Sequence, residues 1–133
     1  MILVDSSVWI DFFSKTPGPG GHELRRLLTE SEPVALTGLI VTEVLQGLRW
    51  DVERIERQLS LWDLLEPLGF ETYRHAAGIA RLARSRGMTL TTIDALIATI
   101  ALENEAVLFT LDKDFGHIAN FAALKIHRIR ARS

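Results

Sequence analysis

Cysteine is absent from the 133 residues. That removes disulfide scaffolds, thiol nucleophiles and Cys-ligated zinc or iron–sulfur centres at once. No apolar run approaches the ~18–20 residues that a membrane-spanning helix requires. The opening stretch, MILVDSSVWIDFF, is apolar but has no basic leader and carries Asp5 and Asp11, so it reads as structure rather than as a secretory signal. A cytoplasmic protein with no membrane partner is the expectation. The four histidines, His22, His75, His117 and His127, are scattered, with no pair at zinc-ligand spacing. The chain also lacks a G-x-x-x-x-G-K-[ST] phosphate loop, a G-x-G-x-x-G dinucleotide run and a G-x-S-x-G elbow. Nor is there surplus positive charge. The balance of 15 basic and 17 acidic residues, net −2, disfavours a protein that coats nucleic acid by charge alone.

What is present suits one globular domain over residues 1–133, since 47% of residues are hydrophobic and 24% charged. Twelve of the cations are arginine, gathered at Arg74, Arg81, Arg84 and Arg86 and again at Arg128, Arg130 and Arg132. Arginine serves bidentate phosphate contact and surface ion pairs equally well. Short apolar runs at 1–4, 33–36, 64–68, 106–110 and 124–127 read as strands covered on both faces. Between them, 7–13, 22–30, 39–49, 52–61, 71–86 and 92–103 read as helices, and the Pro- and Gly-rich stretch 16–21 as a flexible loop. The clearest helix is 92–103, where Ile93, Leu96, Ile97, Ile100 and Ala101 form one stripe. Strand–helix alternation predicts an α/β domain with a mainly parallel sheet and helices on both faces. Function in such folds collects beyond the carboxyl ends of the strands.

Acidic residues recur at those ends. Asp5 directly follows the first strand, where it serves either as a helix cap or, with Ser7 able to cap instead, as a free carboxylate. Glu43 lies one and a half turns into the helix after the second strand, at the edge of its apolar side; it either pairs with Arg49 or has a site to serve. Asp94 stands three residues after Thr91, at capping-box spacing. Asp112 and Asp114 follow the fourth strand, in a turn where Lys113 neutralises one of them or where both reach the sheet edge. Each acid alone has a bland reading. Together they imply a cost, because two carboxylates ~4 Å apart repel by about 4 kcal/mol at an effective dielectric of ~20. A divalent cation offsets that cost, and an all-oxygen donor set suits Mg²⁺ or Mn²⁺. Metal-assisted hydrolysis needs no nucleophilic side chain, in keeping with the motifs that are missing.

Four segments carry a family likeness: VDSSVWIDF at 4–12, TEVLQGL at 42–48, TTIDALIA at 91–98 and TLDKDF at 110–115. In order and spacing they resemble the acidic motifs of PIN-domain nucleases, with the closest likeness to the VapC-type toxins of toxin–antitoxin pairs. The resemblance implies a three-layer α/β/α sandwich and a Mg²⁺-dependent endoribonuclease, with Mn²⁺ able to substitute. It further implies an RNA substrate, a VapB-type antitoxin and a homodimer. By the same resemblance Asp5, Asp94, Glu43 and Asp112 match the catalytic metal-holding acids, with Ser6 and Thr110 as nearby hydroxyls and Asp114 as an accessory acid. Asp112 ranks above Asp114 because it leaves the strand sooner. Trp9, Ile10, Phe12, Phe13, Leu48 and Trp50 exceed what one small core readily absorbs, so part of this set is expected to line a partner groove. A competing reading is a catalytically silent module that binds RNA or protein. Other Mg²⁺-dependent α/β phosphohydrolases fit poorly, since a D-x-D pair would need an acid where Ser7 stands.

Overall fold

A computed structural model describes residues 1–130, so Arg132 lies outside the described residues. Five strands, β1 (Ile2–Val4), β2 (Val34–Thr37), β3 (Asp63–Leu65), β4 (Val107–Phe109) and β5 (Lys125–Ile126), form one sheet in the order β3-β2-β1-β4-β5. Every pairing is parallel. The helices are α1 (Ser6–Phe12), α2 (Pro19–Thr29), α3 (Gly38–Gln46), α4 (Val52–Leu59), α5 (Phe70–Ser85), α6 (Thr92–Glu103) and α7 (Lys113–Ile118). Crossovers between parallel strands are right-handed. Steps from β1 to β2 to β3 therefore place α1–α4 on one face, and the return through β4 to β5 places α5–α7 on the other. The helix contacts agree: α1 packs on α2 and α3, α3 on α4, and α5 on α6. The result is an α/β/α sandwich whose strand order reverses between β1 and β4, opening a crevice beyond their carboxyl ends.

The core is built from β1, β2 and β4 with the helices that cover them, including Leu3, Val4, Leu36, Ile40, Ile97, Leu108 and Phe109, all essentially buried. Trp9 is part of it. Its indole Nε1 donates to the Val4 carbonyl at 3.1 Å and its rings lie 5.0 Å from Trp62 and 5.9 Å from Phe13. Phe12, Phe13 and Leu48 pack against the same core, whereas Ile10 and Trp50 stay about half exposed. None of the helices described is long and apolar enough to cross a membrane.

Three expectations need correction. The strand expected at 64–68 is the shorter β3, ended before Pro67, and as an edge strand it leaves Asp63 and Leu64 exposed rather than covered. Residues 19–21 are not loop but the first turn of α2, with Pro19 at its N-terminus, where a missing N–H costs nothing. Asp11 of α1 completes that turn. Its carboxylate accepts from Gly18 N at 2.9 and 3.1 Å and from Gly21 N at 2.7 Å. Gly21 suits that close approach, because a Cβ would sit 3.0 Å from the Phe12 Cα and the backbone would have to give by a few tenths of an ångström. Finally, the turn after β4 continues into α7, which its six-residue length and Gly116 concealed.

Candidate active site

Asp5 leaves β1 at the reversal point, and its N–H donates to the Phe109 carbonyl of β4 at 2.8 Å. Its backbone occupies the N-cap position of α1, yet its side chain makes no capping bond. The carboxylate instead takes two hydroxyls on one oxygen. Ser7 Oγ donates to Oδ2 at 3.0 Å and Thr110 Oγ1 donates to it at 2.8 Å. Each hydroxyl accepts in turn from the loop beyond β4: Leu111 N donates to Ser7 at 3.1 Å and Asp112 N to Thr110 at 3.0 Å. Asp5, only 5% exposed, is thus held from two strands at once while Oδ1 takes no hydrogen bond among the described residues.

Glu43 reaches the same edge from α3, which Thr37 caps by accepting from Ile40 N at 3.1 Å. Its Oε1 accepts from Ser6 Oγ at 3.2 Å, and no ion pair with Arg49 forms. Burial pushes its carboxyl above the usual range; the Ser6 bond opposes this, and the charges of Asp5 and Asp94 reinforce it. Asp94 comes from the opposite face, in the first turn of α6. Thr91 caps that helix by accepting from Asp94 N at 3.1 Å, but the return bond that would complete a capping box is not made. The Asp94 carboxyl is also raised, chiefly by burial, with Thr91 opposing and Asp112, Asp5 and Asp114 adding repulsion in that order. Asp112 and Asp114 are exposed. Asp112 caps α7 by accepting from Asp114 N at 2.9 Å, so the turn reading holds for one of its oxygens.

The structure therefore brings Asp5, Glu43 and Asp94 into one field of negative charge, with Asp112 and Asp114 at its rim. It also reassigns a hydroxyl. Ser6, expected beside Asp5, serves Glu43, while Ser7 serves Asp5. A D-S-S tripeptide at a strand-to-helix turn carries both hydroxyls, and only the direction of α1 shows which one folds back.

Among the described residues no three Asp, Glu or His side chains stand close enough together to hold a metal ion as placed. The acids share charge without forming a closed coordination shell. No Lys or Arg pairs with Asp5, Glu43, Asp94, Asp112 or Asp114 among the described residues, so the repulsion that adds to burial in raising the Glu43 and Asp94 carboxyls is uncompensated by an ion pair. Hard carboxylate oxygens with one unspent lone-pair face on Asp5 fit a divalent cation of the Mg²⁺ or Mn²⁺ kind.

Comparison with known proteins extends this picture. The PIN domain model matches residues 2–120. Ribonuclease VapC11 of Mycobacterium tuberculosis is 35% identical over 137 aligned positions, covering 98% of this chain and all of the relative. A VapC ribonuclease of Mycobacterium bovis matches to the same extent. Among solved structures, DNA-bound VapBC from Salmonella typhimurium superposes with a TM-score of 0.75 over 95% of this chain and 96% of that one, at 18% identity. FitAcB from Neisseria gonorrhoeae gives 0.72 over 96% and 97%, at 19% identity. At these identities the superpositions speak to the fold.

Proposed function

Because the chain belongs to the PIN-domain family, with VapC ribonucleases among its relatives, we propose that it is the toxin of a type II toxin–antitoxin pair, an endoribonuclease that hydrolyses RNA phosphodiester bonds with the help of Mg²⁺. The observation that carries the site assignment is the charge field itself: Glu43 and Asp94, delivered from helices on opposite faces of the sheet, both stand in the field of Asp5 with no cation beside them. Asp5, Glu43, Asp94 and Asp112 would hold the metal, with Mn²⁺ able to replace Mg²⁺. A divalent ion held there would supply a water of lowered pKa, available as hydroxide at neutral pH, and positive charge to offset that developing on the phosphate. The protein's own part is positioning. Ser7 and Thr110 hold Asp5 through Oδ2 and leave Oδ1 without a hydrogen bond among the described residues, Ser6 orients Glu43, and the α7 cap fixes Asp112 while Asp114 adds negative charge at the rim.

RNA, a VapB-type antitoxin and a second copy of the chain are the proposed partners; the structural neighbours include VapBC complexes from several bacteria. Half-exposed Ile10 and Trp50 are the members of the aromatic and aliphatic set left for a partner to cover. Cleavage assays test the reading. Asp5→Asn and Asp94→Asn should each abolish Mg²⁺-dependent RNA cleavage and growth arrest while leaving the circular dichroism spectrum unchanged; parental cleavage by either variant would overturn the mechanism. The open carboxylate arrangement also favours one rival, a silent binding module. Titration with Mn²⁺ separates the two, since the silent module predicts neither heat nor thermal stabilisation.

A further inference from the structure

Between buried Phe109 of β4 and buried Phe115 of α7 the chain has one apolar side chain, Leu111, set among Thr110, Asp112, Lys113 and Asp114. It is 43% exposed, so it adds little to the core. Its contact is specific all the same. A Cβ built on Gly20 would lie 2.8 Å from Leu111 Cδ2 and 2.9 Å from Cδ1, so the leucine tip fills the space that this glycine leaves open in the first turn of α2.

That turn depends on Asp11. α2 starts at Pro19 with Gly18 at its N-cap, a residue with no side chain to close the turn. The Asp11 carboxylate closes it by accepting from Gly18 N and Gly21 N. Asp11 stands four residues after Ser7, on the same face of α1. From that face α1 meets the loop beyond β4 twice. The first contact is direct, where Leu111 N donates to Ser7 Oγ at 3.1 Å. The second runs through α2, where Asp11 holds the glycine turn that seats the Leu111 side chain.

The position of this loop decides what Asp5 receives. A hydroxyl has one proton and two acceptor sites. Leu111 N and Asp112 N each occupy an acceptor site, on Ser7 and Thr110 respectively, which leaves both hydroxyl protons for Asp5 Oδ2. A loop that lifts off withdraws both N–H groups, and the two hydroxyls are then free to turn away from the carboxylate. Asp5 would keep its place after β1 and lose its orientation.

We propose that Asp11 and Leu111 are positioning residues of the acid site: Asp11 sets the glycine turn of α2, Leu111 seats on it, and the seated loop orients Asp5. The inference rests on the nuclease reading and extends it to two residues outside the acid cluster. Both act through other groups and neither reaches the reacting atoms.

Amide hydrogen exchange followed by NMR in the metal-free protein, without RNA, reads the seat directly. Leu111→Ala and Asp11→Ala should each speed exchange of the Leu111 and Asp112 amides about tenfold, the net worth of one hydrogen bond, and by a larger factor than the Leu108 and Phe109 amides within β4. Leu111→Met keeps an apolar tip long enough to reach Gly20 and should restore the parental rates. Leu82→Ala on α5, a surface leucine of similar exposure, should change none of them. In calorimetry with Mn²⁺, Leu111→Ala should weaken binding about 10–100-fold, the loss typical when a group that orients a metal ligand is removed. In saturating Mg²⁺ the same variant should lower kcat more than it raises KM for RNA. Parental exchange at Leu111 and Asp112 in Leu111→Ala would overturn the seat. So would equal speeding of loop and β4 amides in Asp11→Ala, since the aspartate would then serve stability alone. Faster loop exchange with Mn²⁺ affinity and kcat both parental would overturn the positioning role. The exchange measurement needs neither metal nor RNA, so it decides the seat separately from Asp5→Asn, which decides the nuclease reading.

Discussion

Replacing Glu23 with Gln offers a perturbation whose size follows from geometry. The Glu23 carboxylate is buried between Arg26, which reaches it through Nε at 2.7 Å and Nη2 at 2.9 Å, and His127 at 2.6 Å. The Arg26 bonds, helped by His127 and opposed by burial, hold its carboxyl down from 4.5 to about 2. At about 1.4 kcal/mol per unit, the ionised form is worth about 3 kcal/mol to the folded chain. The sign is that of a depressed acid: unfolded Glu23 takes up its proton first, so the contribution is complete above 4.5 and drains as pH falls from 4.5 through about 2. Urea unfolding of parent and Glu23→Gln between pH 2.5 and 7 should therefore show a gap of about 3 kcal/mol at neutrality that narrows steadily below pH ~4.5. A gap of the same size at pH 3 and pH 7 would refute the ionic origin. A gap under ~1 kcal/mol at pH 7 would mean that Arg26 and His127 add little to the tie between α2 and the residue that follows β5.

Other consequences are as direct. Asp94 and Glu43 carry raised carboxyls, so folding binds their protons more tightly, and the metal-free protein should gain stability as pH falls from neutral through those raised values toward the ordinary range near ~4. Asp94→Asn should accordingly melt higher than the parent in EDTA while losing cleavage; a lower melting temperature would contradict a carboxylate penalised by burial and by its acidic neighbours. Thr110→Val removes one of two hydroxyls on Asp5 Oδ2 and the acceptor for Asp112 N, and should cost about 1.5–3 kcal/mol in denaturant unfolding, with a larger fall in kcat than in substrate affinity. Gly21→Ala should destabilise by about 1–3 kcal/mol, since its Cβ meets the Phe12 backbone at 3.0 Å. Gly20→Ala meets only the flexible tip of half-exposed Leu111 and should come out near neutral, the strain being offset by about 1 kcal/mol of helix propensity.

The fold was legible where local chemistry and burial agree. Thr91 followed by the stripe from Ile93 to Ala101 defined α6 to the residue, because cap, periodicity and core position coincide there. Residues 16–21 misled because Pro and Gly signal a loop unless something outside completes the turn, and Asp11 supplies that completion from another helix. α7 was hidden for a related reason: Asp112 reads equally as a turn acid and as a cap until its neighbour's N–H is placed on it. At the site, the acids could be nominated from their positions after strands, but which hydroxyl meets which carboxylate could not. Ser6 and Ser7 differ by one step, and that step of about 100° around α1 sends one to Glu43 and the other to Asp5. That Glu43 and Asp94 feel each other's charge depends on layers folding over opposite faces of the sheet, which sequence spacing does not encode.

Anomalous diffraction from crystals grown with Mn²⁺ addresses the convergence of the acids most directly. A single peak within bonding distance of Asp5 Oδ1 and an Asp94 oxygen, with Glu43 and Asp112 reaching the ion directly or through water, is the result expected. No peak at the β1–β4 crevice in crystals that bind Mn²⁺ elsewhere, or a peak that Asp5 does not touch, would contradict a metal-dependent nuclease built on this edge of the sheet.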